Sequence, residues 1–122
     1  MRKILVIDDE EDFNFFIKKN LEAAGEFEVI TCSDSRKGLE LARNEKPDLI
    51  LLDILMPNVS GTQLAEDFKS DTEISSIPIV FLTAVITKKE TDENGNLIGG
   101  RYFVAKPVRI GEIVNMIRTL AI

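Results

Sequence analysis

Four short apolar runs, each closed by a residue with chemistry to offer, constrain the fold of this chain more than any other feature. Ile4-Leu5-Val6-Ile7 runs into Asp8-Asp9, and Leu49-Ile50-Leu51-Leu52 into Asp53. Ile79-Val80-Phe81-Leu82 runs into Thr83-Ala84, and Tyr102-Phe103-Val104-Ala105 into Lys106. Runs this short and this continuously apolar fit strands covered on both faces. Between them lie segments with apolar residues at helical spacing, and that alternation is the signature of βαβ units around a parallel sheet. In such a sheet the strands end at one edge, where open α/β sheets bind their ligands. The spacing therefore predicts one site, built from three carboxylates, a hydroxyl and an ammonium drawn from almost the whole chain. An acid cluster with a single lysine suits Mg²⁺ and a phosphoryl group.

Strands are read at residues 3–7, 27–31, 49–52, from 79 after Pro78, and 102–105. The first helix is expected to start near Glu11, with Phe13, Phe16, Ile17 and Leu21 on one face and Gly25 as its stop. Ser33 or Asp34 is placed to cap a second helix that carries Leu39 and Ala42 and ends before Pro47. A loop through Pro57 leads from Asp53 to a third helix near Gly61, and a last helix follows Pro107 with Ile110, Ile113, Val114 and Ile117 on one face. The stretch 86–100 breaks this rhythm. A helix is due there, but the apolar stripe is missing, and Asn94-Gly95 and Gly99-Gly100 are turn signals. At most a turn or two of helix is expected near 88–92, followed by an irregular or hairpin-like excursion.

With 122 residues the chain fits a single domain, expected to span 1–122. That length is enough to bury roughly two thirds of the unfolded surface. An apolar content of 44% argues against disorder. The net charge of −6 disfavours nucleic acid and anionic membranes as partners, because both select basic surfaces. Cys32 is the sole cysteine, so no internal disulfide forms. A lone thiol, read as a small buried strand-end residue, fits a reducing cytoplasm. The chain has no histidine, which removes the usual general base, most zinc sites and any phosphohistidine-carrier role. Met1-Arg2-Lys3 is basic, but only four apolar residues follow before Asp8, too few for a signal peptide or a membrane insertion.

Mg²⁺ takes oxygen ligands and keeps several waters while accepting one or two carboxylates. Asp8 and Asp9 at one strand end, facing Asp53 from another, supply such ligands. Crowded carboxylates repel one another, and a cation relieves that repulsion. A phosphoryl group on Asp53 would be an acyl phosphate, paired with Lys106 and hydrogen-bonded by the Thr83 hydroxyl. Singly, each residue has a blander reading: an Asp pair as a turn or helix cap, Thr83 as a strand end, Lys106-Pro107 as a helix entry. Their joint placement at one sheet edge carries the functional reading.

These residues resemble the receiver domain of bacterial two-component response regulators, the CheY-like family. The matching pieces are Ile4-Leu5-Val6-Ile7-Asp8-Asp9, Leu51-Leu52-Asp53-Ile54-Leu55-Met56-Pro57, Ser60-Gly61, Leu82-Thr83-Ala84 and Ala105-Lys106-Pro107. The resemblance covers the whole chain. It implies a flavodoxin-like fold, a five-stranded parallel sheet of order 2-1-3-4-5 with helices on both faces, here with an irregular or shortened fourth helix. It implies Asp53 as phosphoacceptor. Asp9, Asp53 and the Leu55 backbone carbonyl would be direct Mg²⁺ ligands, with Asp8 acting through water. Thr83 and Lys106 would sense the phosphoryl group, with Ala84 and Pro107 adjacent to them. Phe103 would be the switch aromatic, in preference to Tyr102 on the other face of the strand. A cis Lys106–Pro107 peptide is implied as well. The implied partners are a sensor histidine kinase or phosphotransfer protein, and a downstream protein bound by the remodelled face. The implied activity is self-phosphorylation with slow autodephosphorylation, without turnover of an external substrate.

Two features depart from that family's pattern. The 86–100 stretch replaces the usual fourth helix, and Leu55 and Val85, both apolar, flank the approach of a hydrolytic water. No output domain is expected within the 122 residues. The competing reading within this fold is an interaction module independent of phosphorylation, against which the full set of site residues argues. A haloacid-dehalogenase-type phosphohydrolase would need Asp-x-Asp after the first strand, where this chain has Glu10 in the last position. A flavin binder would need a hydroxyl- and glycine-rich loop in place of Asp8-Asp9-Glu10-Glu11.

Overall fold

The apolar runs become strands that feed both faces of one sheet. In the computed structural model, which describes residues 1–121, the strands are β1 (Arg2–Ile7), β2 (Phe27–Cys32), β3 (Leu49–Asp53), β4 (Ile79–Thr83), β5 (Leu97–Ile98) and β6 (Arg101–Ala105). Ile122, the last residue of the expected domain, lies outside the described residues. The order is β2-β1-β3-β4-β6-β5. All pairs are parallel except β5 with β6. The helices are α1 (Glu11–Ala23), α2 (Gly38–Glu45), α3 (Gly61–Ser70), α4 (Lys88–Glu93) and α5 (Ile110–Leu120).

Successive strand side chains point to opposite faces, and the core divides accordingly. Ile4 and Val6 of β1 pack with Ile17 and Leu21 of α1 and with Ile113 and Ile117 of α5. Leu5 and Ile7 pack with Ala42 of α2 and with Leu64 and Phe68 of α3. On α1 the buried stripe is Asn14, Ile17 and Leu21, while Phe16 is 44% exposed. Of the expected face, Ile17 and Leu21 are buried and Phe13 packs half-buried against the same cluster, Phe16 faces outward, and the buried Asn14 lies beside them.

Two local readings need correction. The sheet has six strands rather than five. The five parallel strands keep the expected order, and the sixth is the two-residue β5, added antiparallel at the edge. It exists because Gly95, Asn96, Gly99 and Gly100 all take positive φ and fold the chain back on itself after α4. That hairpin is the excursion expected in this stretch, and α4 is correspondingly one short helix, opened by a Thr87–Glu90 capping box. Asp34 caps not α2 but a single 3₁₀ turn, Ser35–Lys37, ahead of it. The Lys106–Pro107 peptide is cis. Among the described residues no helix is long and apolar enough to cross a membrane.

Candidate functional site

Strand register brings the chemistry together. Ile7 pairs with Leu52 across β1 and β3, so the next residues, Asp8 and Asp53, lie side by side. The sheet order reverses between these two strands, with β2 on one side of β1 and β3 on the other, and ligands of open α/β sheets bind in that crevice. From β6, one strand beyond β4, Lys106 returns to the same edge, anchored by its backbone N–H donating to the Thr83 carbonyl at 2.8 Å.

Asp8 is fully buried and held from four directions. Its N–H donates to the Cys32 carbonyl at 3.1 Å. Its carbonyl accepts from Asn14 Nδ2 at 2.8 Å, Oδ1 accepts from the Glu10 N–H at 2.9 Å, and Oδ2 accepts from Lys106 Nζ at 2.7 Å. Lys106 Nζ also lies 3.5 Å from Asp53 Oδ1 and 3.8 Å from Glu10 Oε1, and 4.4 Å from the centre of the Phe13 ring. Asp9, by contrast, is exposed. Carboxylate oxygens of Asp8, Asp9 and Asp53 lie within 4.8 Å of one another.

Electrostatics mark this cluster as short of positive charge. The Asp53 carboxyl is pushed up to about 6, first by burial and then by the like charge of Asp8, with Lys106 pulling the other way. At Lys106 burial opposes the charge, but the Asp8 hydrogen bond and the charges of Asp8, Asp53 and Glu10 outweigh it and raise the lysine. An all-oxygen donor set, three carboxylates against one ammonium, and an acceptor raised by its neighbours fit a small hard cation such as Mg²⁺.

The remaining expected positions surround the cluster. Thr83 is 1% exposed at the end of β4, and its Oγ1 accepts from the Val85 N–H at 3.1 Å. Leu55 and Val85 are each 69% exposed. Ala84 and Pro107 line, with Phe13, Phe16 and Val108, an apolar hollow of about 500 Å³ beside Lys106. Phe103 lies further down β6, stacked on Phe81 with ring centres 5.4 Å apart. Tyr102 packs toward the opposite core layer.

Residues 4–118 match the response regulator receiver domain family. The chain belongs to that family. This receiver domain is 36% identical over 109 residues to the protein PilH of Pseudomonas aeruginosa, covering 88% of each chain. It is 30% identical over 119 residues to the polar-differentiation response regulator DivK of Brucella anthropi, covering 98% of this chain and 96% of the other. The chemotaxis response regulator CheY4 of Vibrio cholerae superposes with a TM-score of 0.81 at 26% identity, covering 98% of both chains.

Two residues of this receiver domain that touch the site escaped the sequence reading. Phe13 packs against the core from the apolar face of α1, as its spacing implies, and its ring also lies under the Lys106 ammonium, a cation–π contact. Asn14 is 4% exposed and fixes the Asp8 carbonyl. It did leave a signal: Asn14, Ile17 and Leu21 fall at i, i+3 and i+7, so a polar side chain interrupts an apolar stripe.

Proposed function

We propose that this receiver accepts a phosphoryl group on Asp53 and passes that event to a protein partner through β6. The observation that carries the reading is the convergence of Lys106 Nζ on Asp8 at 2.7 Å and Asp53 at 3.5 Å inside a three-carboxylate cluster. Asp53 Oδ attacks the phosphorus of a phosphohistidine on a sensor histidine kinase or phosphotransfer protein. The new P–O bond forms as the P–N bond breaks, and the imidazole nitrogen keeps the electron pair. Mg²⁺, held by Asp9, Asp53 and the Leu55 backbone carbonyl with Asp8 acting through water, would offset the charge developing on the phosphoryl oxygens. Lys106 then exchanges its carboxylate partners for a phosphoryl oxygen, a charge-assisted hydrogen bond. The Thr83 hydroxyl accepts from the Val85 N–H and still has its own proton to donate to the phosphoryl group. As Thr83 moves, Phe103 turns inward. A local charge has then biased a two-state element.

Leu55 and Val85 cannot orient a hydrolytic water, so the phosphoryl group is long-lived. The domain acts as a switch rather than by turnover of an external substrate. Its one thiol, Cys32, is buried and raised by burial, which suits a reducing cytoplasm.

The test is intact mass after incubation with acetyl phosphate and Mg²⁺, beside Asp53→Asn and an EDTA control, followed in time after removal of the donor. A single adduct that needs Asp53 and the metal, and that persists for minutes or longer, is expected. No adduct overturns the reading, and loss within seconds overturns the long lifetime.

A further inference from the structure

β5 pairs with β6 through Leu97–Tyr102 and Ile98–Arg101, and Asn96 extends that pairing by one residue, opposite Phe103. In an antiparallel ladder a residue at this position exchanges two backbone hydrogen bonds with its partner. Asn96 makes only one of them with its backbone: its carbonyl accepts from the Phe103 N–H at 2.8 Å. Its φ of 67° turns its own N–H away, to the carbonyl of the buried Thr91 in α4 at 2.8 Å. The side-chain amide supplies the missing bond, with Nδ2 donating to the Phe103 carbonyl at 2.9 Å. Left-handed backbone with a side chain that stands in for a peptide group is conformational chemistry to which asparagine is suited.

The same Nδ2 donates to Glu112 Oε2 on α5 at 2.7 Å. Arg109 Nη2 bridges Glu112 Oε2 at 3.5 Å and Asp92 Oδ1 of α4 at 2.8 Å. A continuous polar chain thus joins α4, the hairpin and α5 to both peptide groups of Phe103. The chain is incompletely satisfied: Glu112 Oε1 is buried with no hydrogen-bond partner among the described residues. A buried acceptor left unpaired raises the energy of the arrangement that contains it.

We infer that Asn96 is the positioning residue of the switch, holding Phe103 in the arrangement in which Lys106 pairs with Asp8 and Asp53 and coupling the 94–100 hairpin to the state of Asp53. This rests on the reading of Asp53 and Phe103 under Proposed function. Phe103 lies on β6 and Lys106 directly follows that strand, so any shift of β6 toward a phosphoryl group works against the two Asn96 bonds. By linkage, what holds one state opposes a ligand that favours the other. Removing the side-chain bond therefore strengthens phosphoryl binding, whereas loss of a purely structural contact would leave it unchanged or weaken it.

The experiment is a calorimetric titration with trifluoroberyllate and Mg²⁺, a non-transferable stand-in for the phosphoryl group. It compares the wild type with Asn96→Gly, Asn96→Asp and Leu97→Ala. Glycine tolerates the positive φ and lacks the amide. Aspartate keeps the size but places an acceptor against the Phe103 carbonyl and Glu112, so either variant suffices if the other fails to fold. Leu97→Ala alters the same hairpin without touching the Phe103 backbone bonds. The expected result is about fivefold tighter binding by both Asn96 variants, the scale of one hydrogen bond, with Leu97→Ala at the wild-type value. Wild-type binding with unchanged or weaker binding by the Asn96 variants overturns the role of Asn96 alone. Failure of the wild type to bind overturns the reading of Asp53, and the inference with it.

Discussion

At Asp53 the raised carboxyl makes the stability of the metal-free protein depend on pH in a defined direction. Its value moves from an ordinary 3.8 unfolded to about 6 folded. The folded state therefore binds more protons between those values, and stability contributed by this group falls as pH rises from about 4 to about 6. Above that window the cost of the charged form is complete; below it the cost is gone. Asp53→Asn in EDTA removes that slope. The variant is expected to be more stable than the wild type at pH 7, by on the order of 2 kcal/mol, with the two converging near pH 4. Urea unfolding of both proteins across that range checks it, and parallel curves would refute it. The carboxylates lowered by nearby arginines, such as Asp34 beside Arg36 and Asp71 beside Arg43, run the other way but are shared by both proteins and cancel in the comparison.

Two elements carry predictions of their own. The start of α3 is pressed against the site: the Gly61 N–H donates to the Ile54 carbonyl at 2.8 Å. A Cβ on Gly61 would lie 2.0 Å from the Asp53 carbonyl oxygen and 2.8 Å from the Ile54 Cα. Backbone cannot yield as a flexible side chain does. Gly61→Ala is therefore expected to cost more than about 3 kcal/mol in urea unfolding and to lower the yield of the Asp53 adduct. Gly111, where an added Cβ meets nothing within 4 Å, is the matching control, and equal effects at both positions would sink the steric account. The short α4 has six residues and only one buried one, Thr91. Little apolar burial holds it, so its amides are expected to exchange far faster than those of α5, while the Phe103 amide, bonded to Asn96, stays protected. Uniform, helix-like protection across 86–98 would show that this segment is no weaker than a full fourth helix.

For the whole molecule, the site joins loops after β1 and β3 and the strand end of β6, so a bound cation stabilises the entire fold by mass action. Mg²⁺ at about a hundred times its Kd is expected to add about 2.7 kcal/mol, or about 10 °C in Tm for a domain of this size. Asp9→Asn should abolish most of that shift with little change in EDTA, because Asp9 is exposed. A shift that survives the substitution would place the cation elsewhere. The parallel strands and the meeting of Asp8, Asp53 and Lys106 at one edge were legible in the sequence pattern, and the strand order only in the family resemblance. A continuous apolar run has few alternatives to a doubly covered strand, and the residue that ends it must then lie at the sheet edge. The hairpin was legible only as a break in the pattern, since two residues of strand are too short to leave a period. Phe13 under Lys106, Asn14 on the Asp8 carbonyl and Asn96 on Phe103 were decided by tertiary structure alone. A phenylalanine on a helix face or an asparagine in a turn satisfies many local environments equally well. Only the packing of segments distant in sequence selects the one group each of them meets.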